Sequence, residues 1–524
     1  MAMKQAGSDV QPIERSAVDP SPATAKSRHD SISAGVRNVG LVLAAAAFVK
    51  FAASVATIVR LSEANWGEAL IHDHASRLLR GEHLYQPWGE TFFSVATYTP
   101  LYYYLVAGLQ AVFGPGFGPG RMISLLATIA IMALIARVVW LQTKDWRAGA
   151  FAAALFLVLG VPAHPVWPWS ALYKEDMLSI ALSFGAIVAL AAPGRRYVVL
   201  AGVLAGLAFL TKQTTVIAGL TMFVWLLGKD YREAAVYAVS GLVVVVPVCL
   251  VLEMTTGNFL SNTLIVTTSP FRGELIFVLA PVLVWFLGGA VGASILYLYR
   301  QARTAPRALH NLMVYHWFVS SLLLLIALPK MGTDVNHFIP FAAPTAVLAT
   351  LGLWQTMGTT RKGVLLLAGN LFVTSVFVVL SAGVALSPIT ADRRERGEFR
   401  DLVSRVREEP TMILTDPPDV AALAGRPILT EPWAMSVAYH EHIVHWNERP
   451  LLELICSGKI GLVVLGFPVD QAEQDLGGIP RWPPPAAQAL REATVLERAQ
   501  AGRYVYVYRP PMPGGICQSI SGTS

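Results

Sequence analysis

Four groups of polar residues break into long apolar sequence, and their types decide what chemistry they could do. The first lies in residues 62–98, SEANWGEALIHDHASRLLRGEHLYQPWGETFFSVATY. From Glu68 to Leu79 the pattern predicts an amphipathic helix lying on a membrane, with Ala69, Leu70, Leu78 and Leu79 supplying apolar contacts. Glu68 and His72 stand four apart on one face, while Asp73 falls on another face and can pair with Arg77. A carboxylate there could take a proton from a hydroxyl within hydrogen-bond reach. The plain alternative is a wet interfacial helix with solvated charges. The second group is Tyr173-Lys174-Glu175-Asp176, at the start of an apolar run, where charges often only snorkel to the interface. The third is a sparse set of cations: Lys212 in TKQT, Lys330 in PKMGTD, Arg272 and Lys174. Each could hold a phosphate as a charged donor, or snorkel. Asp334, Asn336 and His337 adjoin Lys330. The fourth is His440, Glu441, His442 and His445. Histidines this close can bind zinc, but the spacing matches no catalytic zinc motif, and exposed loop histidines are the expectation. There is no Ser-His-Asp arrangement, CxxC or phosphate-binding glycine loop.

The elements that must position these groups follow from composition. The chain has 524 residues, 54% hydrophobic and 14% charged, with a mean hydropathy of +0.52. Soluble domains carry about 25% charged residues, so a chain soluble throughout is excluded, as are a disordered chain, a collagen and a disulfide scaffold. Of Cys249, Cys456 and Cys517, the first lies in an apolar run. At most one bridge is possible, and none is expected. The net charge of +6 reads as membrane topology and not as nucleic-acid binding.

Residues 1–37 read as a disordered cytoplasmic tail, and 38–387 as a transmembrane domain whose first outer loop is 62–98. Apolar runs predict 11 to 13 crossings, several shorter than the roughly 20 residues a straight span needs. Lys50, inside the first run, must face protein or water. Tyr85, Trp88, Phe92, Phe93 and Tyr98 suit the headgroup layer. One set of alternate loops holds Lys144, Arg147, Arg195, Arg196, Lys229, Arg232, Arg300, Arg303, Arg307, Arg361 and Lys362, and should be cytoplasmic. The other set holds Lys174, Lys212, Arg272 and Lys330, and should face the periplasm. Parity then demands one crossing from 99 to 141, where two apolar runs stand. Residues 388–524 mix acids and bases, and strand-like runs at 411–415, 460–465 and 504–508 alternate with helical segments at 398–409, 419–424 and 486–500. These predict a small α/β domain on the same side as loop 62–98.

The order of LLRGEHLY, YTPLYYYLVAGLQAVFG, GRMISLL, KEDMLSIALS, LAGLAFLTKQT and KMGTDVNHF resembles bacterial members of the GT-C superfamily over roughly residues 38–386. These are membrane glycosyltransferases that take sugar from a polyprenyl-phosphate carrier, and the pattern is most similar to the protein mannosyltransferase and lipid A aminoarabinose transferase group. The resemblance implies a polytopic all-α GT-C-like fold and sugar transfer to a lipid, glycan or protein acceptor at the periplasmic face of a bacterial inner membrane; the sequence leaves retention or inversion open, and the resemblance favours inversion. It implies an acid of the first outer loop as general base. Glu68 is the matching position and Asp73 the competitor. Asp176 matches an acid of the second outer loop that could orient the base or bind a metal ion, with Glu175 a weaker alternative. Lys212, Lys330, Lys174, Arg272, Tyr98, Asn336 and His337 are the expected substrate contacts. The resemblance fixes no cofactor and leaves the metal requirement open, a divalent cation being the one candidate. The aminoarabinose transferases carry an acidic-basic pair before paired prolines at the second helix. Here ATYTPLYYY has one proline, Pro100, and no charge, so the phosphate ligand must come from elsewhere, Arg121 being a possible substitute.

A transporter or flippase of a lipid-linked or small polar substrate is the second reading. Lys50 and broken helices suit it, but no halves repeat and the charges gather in loops on one side. A non-catalytic scaffold is the third, and it would not need acids and cations on one face. Glu68, Asp176 and Lys212 or Lys330 gathered in one place would favour the enzyme.

Overall fold

A computed structural model describes residues 22–87, 93–159, 169–265, 271–305, 311–330, 335–356, 361–380, 393–441, 446–474, 481–511 and 514–521. The membrane part is helical: α1 (Pro22–Ile58), α2 (Glu68–Leu79), α3 (Leu101–Phe113), α4 (Gly118–Thr143), α5 (Trp146–Leu159), α6 (Asp176–Leu190), α7 (Arg195–Thr211), α8 (Val216–Leu227), α9 (Tyr231–Thr256), α10 (Glu274–Thr304), α11 (Leu312–Ala327), α12 (Ile339–Thr356) and α13 (Arg361–Leu380). Among the described residues four helical stretches are long and apolar enough to cross a membrane: Val39–Ile58, Gly118–Thr143, Tyr231–Thr256 and Asn336–Gln355. α1 begins at Pro22, inside the segment expected to be disordered. Residues 1–21, Trp88, Phe92, Arg307, Asp334, His442 and His445 lie outside the described residues.

Small residues let these helices approach closely, as membrane packing requires. A Cβ on Gly149 of α5 would stand 2.7 Å from the Ala136 carbonyl oxygen of α4. Lys50 is 1% exposed within the bundle, so it faces protein as its depth demands.

α2 occupies the predicted residues, but it does not lie open on a surface. Glu68 through Ala75 and Arg77 are buried, beneath α3 and the C-terminal domain. α3 bears on the parity conflict. Its 13 residues extend about 20 Å, short of the roughly 30 Å hydrocarbon core. Both ends are tied to one face. Thr99 Oγ1 donates to Phe209 O at 2.6 Å, near the end of α7, and Gly116 N–H donates to His72 Nε2 of α2 at 3.1 Å. Both ends of α3 thus stand at one face of the helices, and α4 is the stretch of 99–141 long and apolar enough to cross a membrane.

The C-terminal domain carries β1 (Met412–Asp416), β2 (Ile460–Leu465), β3 (Thr494–Gln500) and β4 (Arg503–Tyr508) in the order β1-β2-β4-β3. β1 and β2 are parallel, and the other pairs are antiparallel. Side chains alternate along β2 as a two-sided buried strand requires. Leu462 and Val464 face the core that helices Arg393–Glu408 and Asp419–Leu423 share with α2 and α3, and Val463 and Leu465 face the core under helices Arg449–Cys456 and Pro484–Ala493. The expected helix over 486–500 ends at Ala493, and residues 494–500 form β3. The reason is the tight turn at Ala501-Gly502, where both residues have positive φ, which folds β3 back onto β4 as a hairpin. Cys456 and Cys517 form a disulfide across 61 residues. This corrects the expectation of none: a turn of sequence pattern could not show that the helices Arg449–Cys456 and Ile516–Ser521 pack side by side.

Candidate active site

The end of α1, the starts of α4, α6 and α12 and the end of α7 meet at one face, and two buried ion clusters sit there side by side. In the first, Glu68 receives Arg121 Nε on Oε1 at 3.0 Å and Arg121 Nη2 on Oε2 at 2.7 Å. Oε1 also accepts Tyr173 N–H at 2.6 Å, and Oε2 accepts Ala64 N–H at 2.5 Å. Both side chains are 0% exposed. The rest of the Arg121 guanidinium donates to Thr57 O, Arg60 O and Ser62 O at 2.8, 2.7 and 3.0 Å. Burial alone would raise the Glu68 carboxyl, but Arg121 and the backbone donors outweigh it and hold it below the ordinary range. Gly67, at φ +94°, turns the chain into α2 just before Glu68, a conformation glycine adopts without penalty. The pair thus pins the end of α1, the start of α2, the start of α4 and residue 173 to one another.

The second cluster is built by the start of α6 and the end of α7. Lys212 Nζ donates to Glu175 Oε1 at 2.9 Å and to Asp176 Oδ1 at 2.6 Å. Asn336 Nδ2 donates to Asp176 Oδ1 at 3.0 Å. Lys212 also stands 4.9 Å from the centre of the Tyr98 ring. Unlike the first cluster, this one is incomplete. Glu175 Oε2, Asp176 Oδ2 and Asn336 Oδ1 are buried without a hydrogen-bond partner, and so is Gln213 Oε1. The charge of Glu175 and then burial push the Tyr98 hydroxyl upward. The open oxygens can accept from O–H or N–H groups, and the acids can hold a proton.

Two comparisons with known proteins bear on this geometry. Residues 97–255 match the dolichyl-phosphate-mannose-protein mannosyltransferase family, a span that contains the whole second cluster except Asn336. The fold is that of ArnT from Cupriavidus metallidurans. The apo structure matches with a TM-score of 0.59 at 16% identity, over 91% of this chain and 99% of that one. The structure of the same protein bound to undecaprenyl phosphate matches with a TM-score of 0.58 at 16% identity, over 90% and 98%. The match to the mannosyltransferase family covers 97–255, and the likeness to ArnT is one of fold. No curated protein sequence matches it.

Within this fold only some of the expected site residues meet. Asp176, Lys212, Tyr98 and Asn336 come together, joined by Glu175, which was ranked behind Asp176. Glu68 lies beside them through the Tyr173 N–H, with its oxygens already engaged. Arg121, considered as a phosphate ligand, is spent on Glu68 and three carbonyls. Asp73 lies apart, between Arg77 at 3.6 Å and Arg80 at 3.2 Å. It borders a cavity of about 310 Å³ against the C-terminal domain, and burial raises its carboxyl despite both arginines. Lys174 donates to Asn65 Oδ1 at 2.6 Å and lies over Trp169 at 4.7 Å. Arg272 and Lys330 are brought together by the bridge between Phe271 and Lys330. Among the described residues no three His, Cys, Asp or Glu side chains gather for a metal ion, and the ammonium of Lys212 already stands between the two carboxylates where a cation would sit. Gln213 and Phe93 were missed as site residues; nothing in their local sequence marks them.

Proposed function

We propose that the chain transfers a sugar from a polyprenyl-phosphate carrier, and that the transfer runs at the Glu175–Asp176–Lys212 cluster. The observation that carries this reading is the set of open oxygens on Glu175, Asp176 and Asn336, held around a buried lysine where helix ends meet. An acceptor oxygen attacks the anomeric carbon, the bond from that carbon to the phosphate oxygen breaks, and the carrier leaves as its phosphate. The acceptor proton passes to the Glu175–Asp176 pair, at an open oxygen. Two carboxylates sharing one lysine titrate as a unit, so the base is the pair. Lys212 offsets the charge of the pair and, with Lys330, supplies positive charge for the departing phosphate. In this reading Glu68 does not take the proton. It holds the start of α2 and the Tyr173 backbone in place.

The undecaprenyl phosphate bound by ArnT supports a carrier of that class here. The face is assigned from charge and from the disulfide. The sparse cations lie on the cluster's side, and a Cys456–Cys517 bridge belongs in an oxidising compartment. The cluster and the C-terminal domain therefore face the periplasm. The test is sugar release by the purified protein in nanodiscs from a panel of undecaprenyl-phosphate sugars, each with wild type, Asp176→Asn and Glu175→Gln. Release by wild type that falls steeply in both variants supports the reading. Release that neither substitution lowers removes the cluster from the chemistry, and no release from any donor removes the carrier.

A further inference from the structure

One contact of the C-terminal domain runs toward the second cluster. Phe93 N–H donates to Leu429 O at 3.0 Å, and Glu431 N–H donates to Phe93 O at 2.9 Å, so Phe93 and Thr430 form a parallel bridge. Phe93 is 2% exposed and packs in the core of that domain, its ring 5.8 Å from that of Trp446. This wedge fixes the backbone at Glu431, because Glu431 itself makes one of the two amide bonds of the bridge. From Phe93 the chain continues to Thr97, whose carbonyl accepts from Gln213 Nε2 at 2.8 Å, and then to Tyr98 over Lys212. Glu431 is near enough to add to the negative field on the Tyr98 hydroxyl, behind Glu175, burial and Asp176. Its own carboxyl has no hydrogen bond or ion pair among the described residues.

A partly buried carboxyl with no partner keeps its whole hydrogen-bonding capacity for something that arrives. We propose that Glu431 is a substrate-contacting, specificity-determining residue of the site, lent by the C-terminal domain, whose carboxyl binds a hydroxyl of the sugar-bearing substrate. The inference rests on the transferase reading. A hydroxyl is the chemistry that fits. Burial raises the Glu431 carboxyl to about 8, so near neutral pH it holds its proton and can donate as well as accept. An ammonium would instead need the ionised form. The hydroxyl belongs to the donor's sugar or to the acceptor, and the experiment separates the two.

Full-length protein in nanodiscs would be assayed as wild type, Glu431→Ala and Glu431→Gln. The probes are bare undecaprenyl phosphate and undecaprenyl phosphate carrying the hexose that wild type turns over. Loss of one hydrogen bond is worth about fivefold to tenfold in affinity. Glu431→Ala is expected to lose that much of the preference for loaded over bare carrier, and Glu431→Gln less, since an amide also donates and accepts. If that preference stays while KM for the acceptor rises by a similar factor at unchanged kcat, the hydroxyl is the acceptor's and the proposal stands. If neither quantity moves in either variant, it is overturned. Should Glu431→Ala melt early or be cut faster by protease, Glu431→Gln decides alone. A wild type that neither binds nor turns over any loaded carrier overturns the transferase reading and this inference with it. An active wild type with indistinguishable variants overturns the inference only.

Discussion

The two buried ion clusters differ in one respect that separates structure from chemistry. Around Glu68 and Arg121 every guanidinium nitrogen and both carboxylate oxygens meet a partner within the protein. Around Lys212 the two acids and Asn336 each keep one oxygen open. Burying a charge is costly unless it is paired and hydrogen-bonded. The first cluster meets that requirement within the protein and gains rigidity. The second leaves capacity for a ligand at the same face. A buried acid is thus not a base by virtue of burial, and the open lone pair is the better guide.

Asp176→Asn should give the largest effect, a fall in kcat of about 10²- to 10⁴-fold, the range expected when a general base is lost, with an unchanged melting temperature. Steady-state turnover and calorimetry on the same sample check it. Activity within tenfold of wild type would break the comparison. Glu68→Gln should act the other way, since it strands Arg121 as a buried charge, at a cost of about 3–5 kcal/mol. The melting temperature should drop by several degrees, while turnover per folded molecule stays near wild type. Phe93→Ala comes next. Removing the wedge costs about 3–5 kcal/mol locally, and it should loosen the C-terminal domain. Faster protease cleavage between residues 380 and 412 would register that, with the transmembrane helices still melting normally.

The smallest effect is a pH dependence. Burial raises the Glu431 carboxyl from an ordinary 4.5 to about 8, so the fold favours its protonated form. Its contribution is fully present below about 4.5 and is lost as pH rises through about 8. Glu431→Gln carries no such loss. The variant should match wild type in melting temperature near pH 4.5 and exceed it by a few degrees near pH 9. A constant difference across that range would contradict the placement.

Much of this was legible in the sequence. Asp176, Lys212 and Asn336 stand out because charges and amides are rare in apolar sequence, and they do meet. The extent of α2 followed from the spacing of its apolar residues. Three things were not legible. Glu68 and Arg121 are 53 residues apart, and no local pattern shows that they meet bidentately and cancel. The short aromatic run at Leu101–Phe113 has the composition of a span, and only its tethered ends show that both stand at one face. β3 reads as helix because Glu497, Arg498 and Ala499 favour helix, and tertiary pairing with β4 overrides that preference. The placement of Glu431 depends on a bridge between residues 93 and 430, which sequence spacing cannot reveal.

The most direct test of the central claim is turnover per folded molecule for Glu68→Gln and Asp176→Asn, compared in nanodiscs with the same undecaprenyl-phosphate sugar. The account predicts that Glu68→Gln retains near-wild-type turnover once its lower stability is allowed for, and that Asp176→Asn is folded and nearly inactive. A folded but inactive Glu68→Gln beside a working Asp176→Asn would contradict it and move the proton acceptor to Glu68.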